Sequence, residues 1–164
     1  MHSANPIDCD PDAILDCLHL HQNAVDLVTE TGLALKMLPE NPIVCSDGDP
    51  ISQRWILLKT MVDDRIIPSL IQLINTFELN NGIQDDKTSV LKNQLRSLTP
   101  EVTRLTKLLQ LDRQFWQAAR QPDRILQRQQ QFTQHLMQLT QLLEAIVHHL
   151  NVHHLNVDHL DSVD

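Results

Sequence analysis

Apolar residues recur at steps of three and four through four long stretches of this chain, and three of those stretches open on a proline. Side chains three and four apart share one face of an α-helix, whereas a strand needs a step of two. Asp10-Pro11 and Asp49-Pro50 each place an N-cap acid before a proline at the first helical position, where a missing N–H costs nothing. Gln121-Pro122-Asp123 marks a tight junction between two helices.

The first stripe is Ile14, Leu18, His21, Val25, Val28, Gly32 and Leu35, and Pro39 ends it. Residues 39–50 hold three of the eight prolines and read as a loop. The second stripe runs through Trp55, Leu58, Val62, Ile66, Leu70, Leu73 and Phe77 to Asn80-Asn81-Gly82, with Pro68 inside it predicting a kink or short break. The third opens at Asp85-Asp86 and carries Leu91, Leu95 and Leu98. Thr99-Pro100-Glu101 then reads as a fresh cap at which the helix restarts or bends. Val102, Leu105, Leu109, Asp112, Trp116 and Ala119 continue the line, flanked by Leu108 and Phe115. The fourth is Ile125, Phe132, Leu136, Leu139, Leu143, Ile146 and Leu150. Four long helices on short links predict an all-α fold, an antiparallel helical bundle with some helices kinked or broken at proline. The single domain spans residues 11–150, between a disordered N-terminus (1–10) and a flexible histidine-rich tail (151–164).

Composition agrees. Aromatics are 3% of the 164 residues, there is no tyrosine, and glycine occurs three times, which disfavours strands and tight hairpins. Three cysteines without CxxC spacing and no leader-like start predict a reduced, cytoplasmic setting. Charges interrupt every apolar cluster, so no membrane span is expected.

Charge is unevenly placed. Residues 1–50 carry nine acids against Lys36 alone, which is −8, while residues 87–128 carry nine bases against Glu101, Asp112 and Asp123, which is +6. Such a basic segment either meets an anionic partner or packs near the acidic part of its own chain. The same pairing between two chains would give a weak homodimer, and a monomer otherwise. Arg113 with Arg120, and Arg124 with Arg128, are spaced to share faces and are candidates for one exposed, partner-binding patch. Phe115 and Trp116 are expected on the buried face, which removes them as base-stacking platforms and argues against nucleic acid.

Five of the nine histidines fall within residues 148–161. Their repeat has a five-residue period, which advances a helix by about 140° and draws no single face. His149 and His153, and likewise His154 and Asp158, are four apart and are weak candidates for a metal half-site, in an alternative reading as a small metal- or ligand-binding helical protein. His21, on the apolar line, reads as a hydrogen-bonded core histidine. No nucleophile elbow, phosphate loop or Glu-x-x-His pair occurs, so neither enzyme activity nor a cofactor is expected.

The stretch FWQAARQP, residues 115–122, followed by a glutamine- and arginine-rich helix closing on leucines, resembles the cyanobacterial heterocyst-frequency control protein PatD family. WILLKTMVDDRIIPSL, residues 55–70, resembles that family's helix with an Ile-x-Pro-like step, so the likeness covers about residues 51–147. The resemblance implies a small helical regulator that modulates assembly of the tubulin-like division protein FtsZ and, in heterocyst formers, heterocyst frequency. The acidic first helix and the histidine tail depart from the family pattern.

Overall fold

A computed structural model describes residues 11–36, 48–79 and 86–158, and every element in them is helical, with no strand among the described residues. Helix α1 is Pro11–Lys36, α2 is Pro50–Met61, α3 is Ile67–Leu79, α4 is Asp86–Ala118 and α5 is Pro122–Asp158. A π-helical turn, Val62–Ile66, joins α2 to α3 without a loop. The expected disordered start, the loop at 39–47, the Asn80-Asn81-Gly82 stop and the last six residues lie outside the described residues, as do the side chains of Val28, Gly32 and Leu35.

Local chemistry explains the start of α2 and its join to α3. Asp49 caps α2 twice, accepting from Ser52 N–H at 2.8 Å and from Ser52 Oγ at 2.9 Å, with Pro50 at the first position. The break predicted at Pro68 is the π-turn just before it. Pro68 has no N–H to give, and its ring would strike the carbonyl one α-turn back. Widening the preceding turn relieves the clash, and the Ile67 N–H reaches back to Val62 O instead. The same turn corrects a register drift, since the steps Leu58, Val62, Ile66, Leu70 are all fours and each overshoots an α-helix by about 40°.

At Pro100 the sequence expectation of a fresh cap is overturned: α4 passes through it unbroken. Thr99 is buried and caps nothing, its hydroxyl donating to Leu95 O at 2.6 Å. Packing on both sides of Pro100, by Leu95, Val102 and Leu105, holds the helix across the missing bond. The C-terminal boundary also moves. Helix α5 continues past Leu150 to Asp158, so residues 151–158 are helical where a flexible tail was expected. His153 is half-buried with its ring 6.2 Å from that of Phe77.

Four helical columns form a ring, with α5 between α1 and α4 on one side and the α2–α3 column between the same two on the other. Along that column and α4 the contacts run in opposite order: Trp55 meets Gln110, and Glu78 meets Arg96. Asp112 meets His135 and Trp116 meets Phe132, so α4 and α5 also run in opposite directions. The stripes meet inside, where Leu58, Val62, Ile66, Leu95, Leu109, Leu139, Leu143 and Ile146 are fully enclosed. Each such side chain contributes roughly 1.5–3 kcal/mol relative to exposure.

His21 is wholly buried, and its Nδ1–H donates to Cys17 O at 2.7 Å. That bond leaves Nε2 as a buried acceptor with no donor among the described residues. Burial pushes the His21 pKa below the ordinary imidazole value, against a smaller upward pull from the Cys17 carbonyl. His149 is lowered too, by burial and then by His148 beside it. Above pH about 6.5 both folded and unfolded chains hold these rings neutral, and stability is at its full value. Below that point the unfolded chain takes up a proton that folded His21 refuses, so stability falls by up to about 1.4 kcal/mol per pH unit. Urea midpoints measured at about pH 7.5 and about pH 5.5 should differ, and His21→Gln should shrink the difference without abolishing it.

Candidate functional site

The turn between α4 and α5 is short because Ala118 ends one helix and Pro122 starts the next. The last turn of α4 tightens, Ala119 N–H bonding both Phe115 O and Trp116 O, and the Arg120 side chain donates to Gln117 O at 2.9 Å. Arg120 thereby satisfies one of the carbonyls a helix end leaves open. Ile125 N–H bonds Gln121 O and closes the first turn of α5. Between the two helix ends lies an open cleft of about 440 Å3, lined by Phe115, Ala118, Ala119, Arg120, Gln121, Arg124 and Arg128.

Three of the four arginines expected to share a patch therefore come together here, and the fourth does not. Arg113 is buried at 9% exposure, and its Nε–H points to Ser52 Oγ at 3.4 Å, against the capped start of α2. Its seven-residue spacing from Arg120 places no common face because α4 stops at Ala118, between them. Arg113 thus anchors α2 to α4 instead of meeting a partner.

Phe115 corrects a second expectation. It is 50% exposed, while Trp116 beside it is 2% exposed. One helical step separates them, and only Trp116 continues the line of Leu105, Leu109 and Asp112 into the core. Leu111 and Phe115, four apart, form an outward-facing apolar edge instead. The Arg128 guanidinium covers the Phe115 ring at 4.9 Å from its centre and donates to Gln131 Oε1 at 3.2 Å. Cation–π contact and hydrogen bond together hold Arg128 in one orientation. Arg120 and Arg124 are exposed, and none of Arg120, Arg124 and Arg128 is within ion-pair distance of a described carboxylate. The exposed acids of α1, Asp12, Asp16, Asp26 and Glu30, form no ion pair with these three arginines.

Sequence reasoning missed a polar pair on the same α4–α5 seam. Asp112 is 4% exposed, and His135 Nδ1 stands 2.5 Å from its Oδ2. The available signal was an aspartate on an otherwise apolar line; a buried carboxylate needs a partner, and α5 had a histidine to supply.

The histidine candidates are spread. His149 packs against His148, with ring centres 5.7 Å apart, and His153 is turned onto Phe77. The side chains of His154 and Asp158 lie outside those described. Among the described residues no group of three or more histidine, cysteine, aspartate or glutamate side chains is placed to hold a metal ion. No helix among them is long and apolar enough to cross a membrane. No family model, curated protein or solved structure matches the chain.

Proposed function

We propose that the protein is a non-enzymatic adaptor that binds a protein partner through the cleft at the α4–α5 junction. The observation that carries this reading is a half-exposed phenylalanine ringed by three arginines that meet no described carboxylate of their own chain. Monomeric proteins tend to bury large aromatics, and Phe and Arg are enriched at the cores of interfaces. Arginine in particular offers a planar fork of donors suited to partner carboxylates. The remaining inward-facing side chains are packing residues. By the resemblance of residues 115–122 and 55–70 to the PatD family, FtsZ is the first partner to test, and a change in its polymerisation the expected effect.

Light scattering of FtsZ assembly, with and without this protein, tests the reading. Wild-type protein should shift the extent or rate of assembly, and Arg120→Glu/Arg124→Glu should lose most of that effect. Both side chains are exposed and only the Arg120 bond to Gln117 O is lost, so the double variant should keep its helicity and lose no more than about 1.5 kcal/mol. A pull-down that recovers another stable partner, and no FtsZ at any ionic strength, would remove FtsZ from the proposal.

A further inference from the structure

We infer that the cleft takes a short acidic segment of the partner, extended or locally helical, with one large apolar side chain seated on Phe115, Ala118 and Ala119 and flanking carboxylates on Arg120 and Arg124. The inference rests on the adaptor reading above and narrows it from a partner protein to the chemistry of the segment recognised.

Charge is the first argument. A guanidinium has five N–H donors, and here few are used: Arg120 gives one hydrogen bond to Gln117 O, Arg128 one to Gln131, and Arg124 none among the described residues. The remaining donors border one concave spot. Helix α4 ends and α5 starts there, so the opposite ends of their dipoles offset and the positive charge of the cleft comes from the arginines. Clustered arginines around a pocket are the mode by which acidic motifs are read.

Shape is the second argument. Ala118 and Ala119 are small and leave space beside the Phe115 ring, one face of which Arg128 occupies. An apolar side chain entering there meets the rest of the ring and the two methyl groups. At about 440 Å3 the cleft lies toward the lower end of the roughly 300–1,000 Å3 typical of ligand pockets, a size for a local anchor and not for a folded surface. Single-stranded nucleic acid would need successive stacking platforms along a basic groove. The cleft has a single aromatic ring in its lining, and the neighbouring edge residue, Leu111, is aliphatic.

The test is fluorescence anisotropy of a labelled hexapeptide, acetyl-Asp-Glu-Leu-Phe-Glu-Asp-amide, titrated with the full chain. Saturable binding is expected, weakening as salt is raised. Arg120→Glu/Arg124→Glu should weaken it by about tenfold or more, and so should Gln121→Glu, which adds a carboxylate to the cleft without removing a contact seen in the structure. Phe115→Ala, or alanine in place of the peptide's phenylalanine, should also weaken it by several fold. Absence of saturable binding, indifference to both charge variants, or displacement by oligothymidylate at lower concentration than by unlabelled peptide would overturn the inference. Peptide binding with these dependences but no effect on FtsZ would uphold the inference and remove only the named partner. An FtsZ response that is lost in Arg120→Glu/Arg124→Glu, with no peptide binding by the wild type, would overturn the inference and leave the adaptor reading in place, whereas a response that survives the double variant would overturn both.

Discussion

Replacing Phe132 with alanine should destabilise the bundle by about 3–5 kcal/mol, the upper range for a single core truncation. Phe132 is 1% exposed, and its ring lies 5.9 Å from Trp55 at 87° and 5.7 Å from Trp116. The chain has only two tryptophans and three phenylalanines, so three of its five aromatics meet at this one point. Trp55 belongs to α2 and Phe132 to α5, columns on opposite sides of the ring. Their edge-to-face contact therefore spans the centre of the bundle, a distance that shorter aliphatic side chains bridge less well. Truncation removes both aromatic contacts and leaves a void bordered by two rigid indoles, which relax into it poorly. Against a total stability of about 5–15 kcal/mol for a domain, the loss should be plain in a urea melt followed by circular dichroism. Phe132→Leu, which keeps much of the volume, should cost clearly less. A negligible cost for Phe132→Leu would show that the aromatic geometry contributes nothing.

Asp112→Ala should cost about 1–3 kcal/mol through what it leaves behind. Asp112 and His135 are both substantially buried on the α4–α5 seam, 2.5 Å apart. Removing the carboxylate strands the His135 ring without its acceptor in a site largely closed to bulk water. Replacing both, as Asp112→Leu/His135→Leu, removes the unmet polar group along with its partner, and should recover most of the stability. A double-mutant cycle over Asp112→Ala and His135→Ala measures the coupling directly, and additivity within about 0.5 kcal/mol would show that the pair does not act as one unit.

Core stripes and long-range contacts of this kind differ in how far the chain reveals them. The stripe positions Leu58, Leu70, Leu95, Leu109, Leu139 and Leu143 could be read because helical periodicity is a local property, repeated many times within each segment. Proline and capping acids are equally local, which is why the starts at Pro11, Pro50 and Pro122 were legible. Pro100 misled for the same reason. Its local preference is to start a helix, but the side chains before and after it are packed on the same core, and tertiary burial outweighs one lost hydrogen bond. The helical extension through His153 has a similar cause: the ring of Phe77, on α3, lies against that histidine, and nothing in the tail's own repeat indicates it.

For the candidate site, the sequence supplied the arginines and the junction, and spacing placed Arg124 and Arg128 together. It could not separate Arg113 from them, nor Phe115 from Trp116. The second distinction is a rotation of about 100° around α4 and the first turns on where α4 ends, and which side of a helix is covered depends on where its neighbours lie. Helical class, segment starts and apolar faces were thus determined by the sequence alone, because each follows from interactions within a few residues. Which arginine is buried beside Ser52, which aromatic faces the cleft, and which histidine meets Asp112 were decided by tertiary structure, because each depends on how separate helices pack against one another.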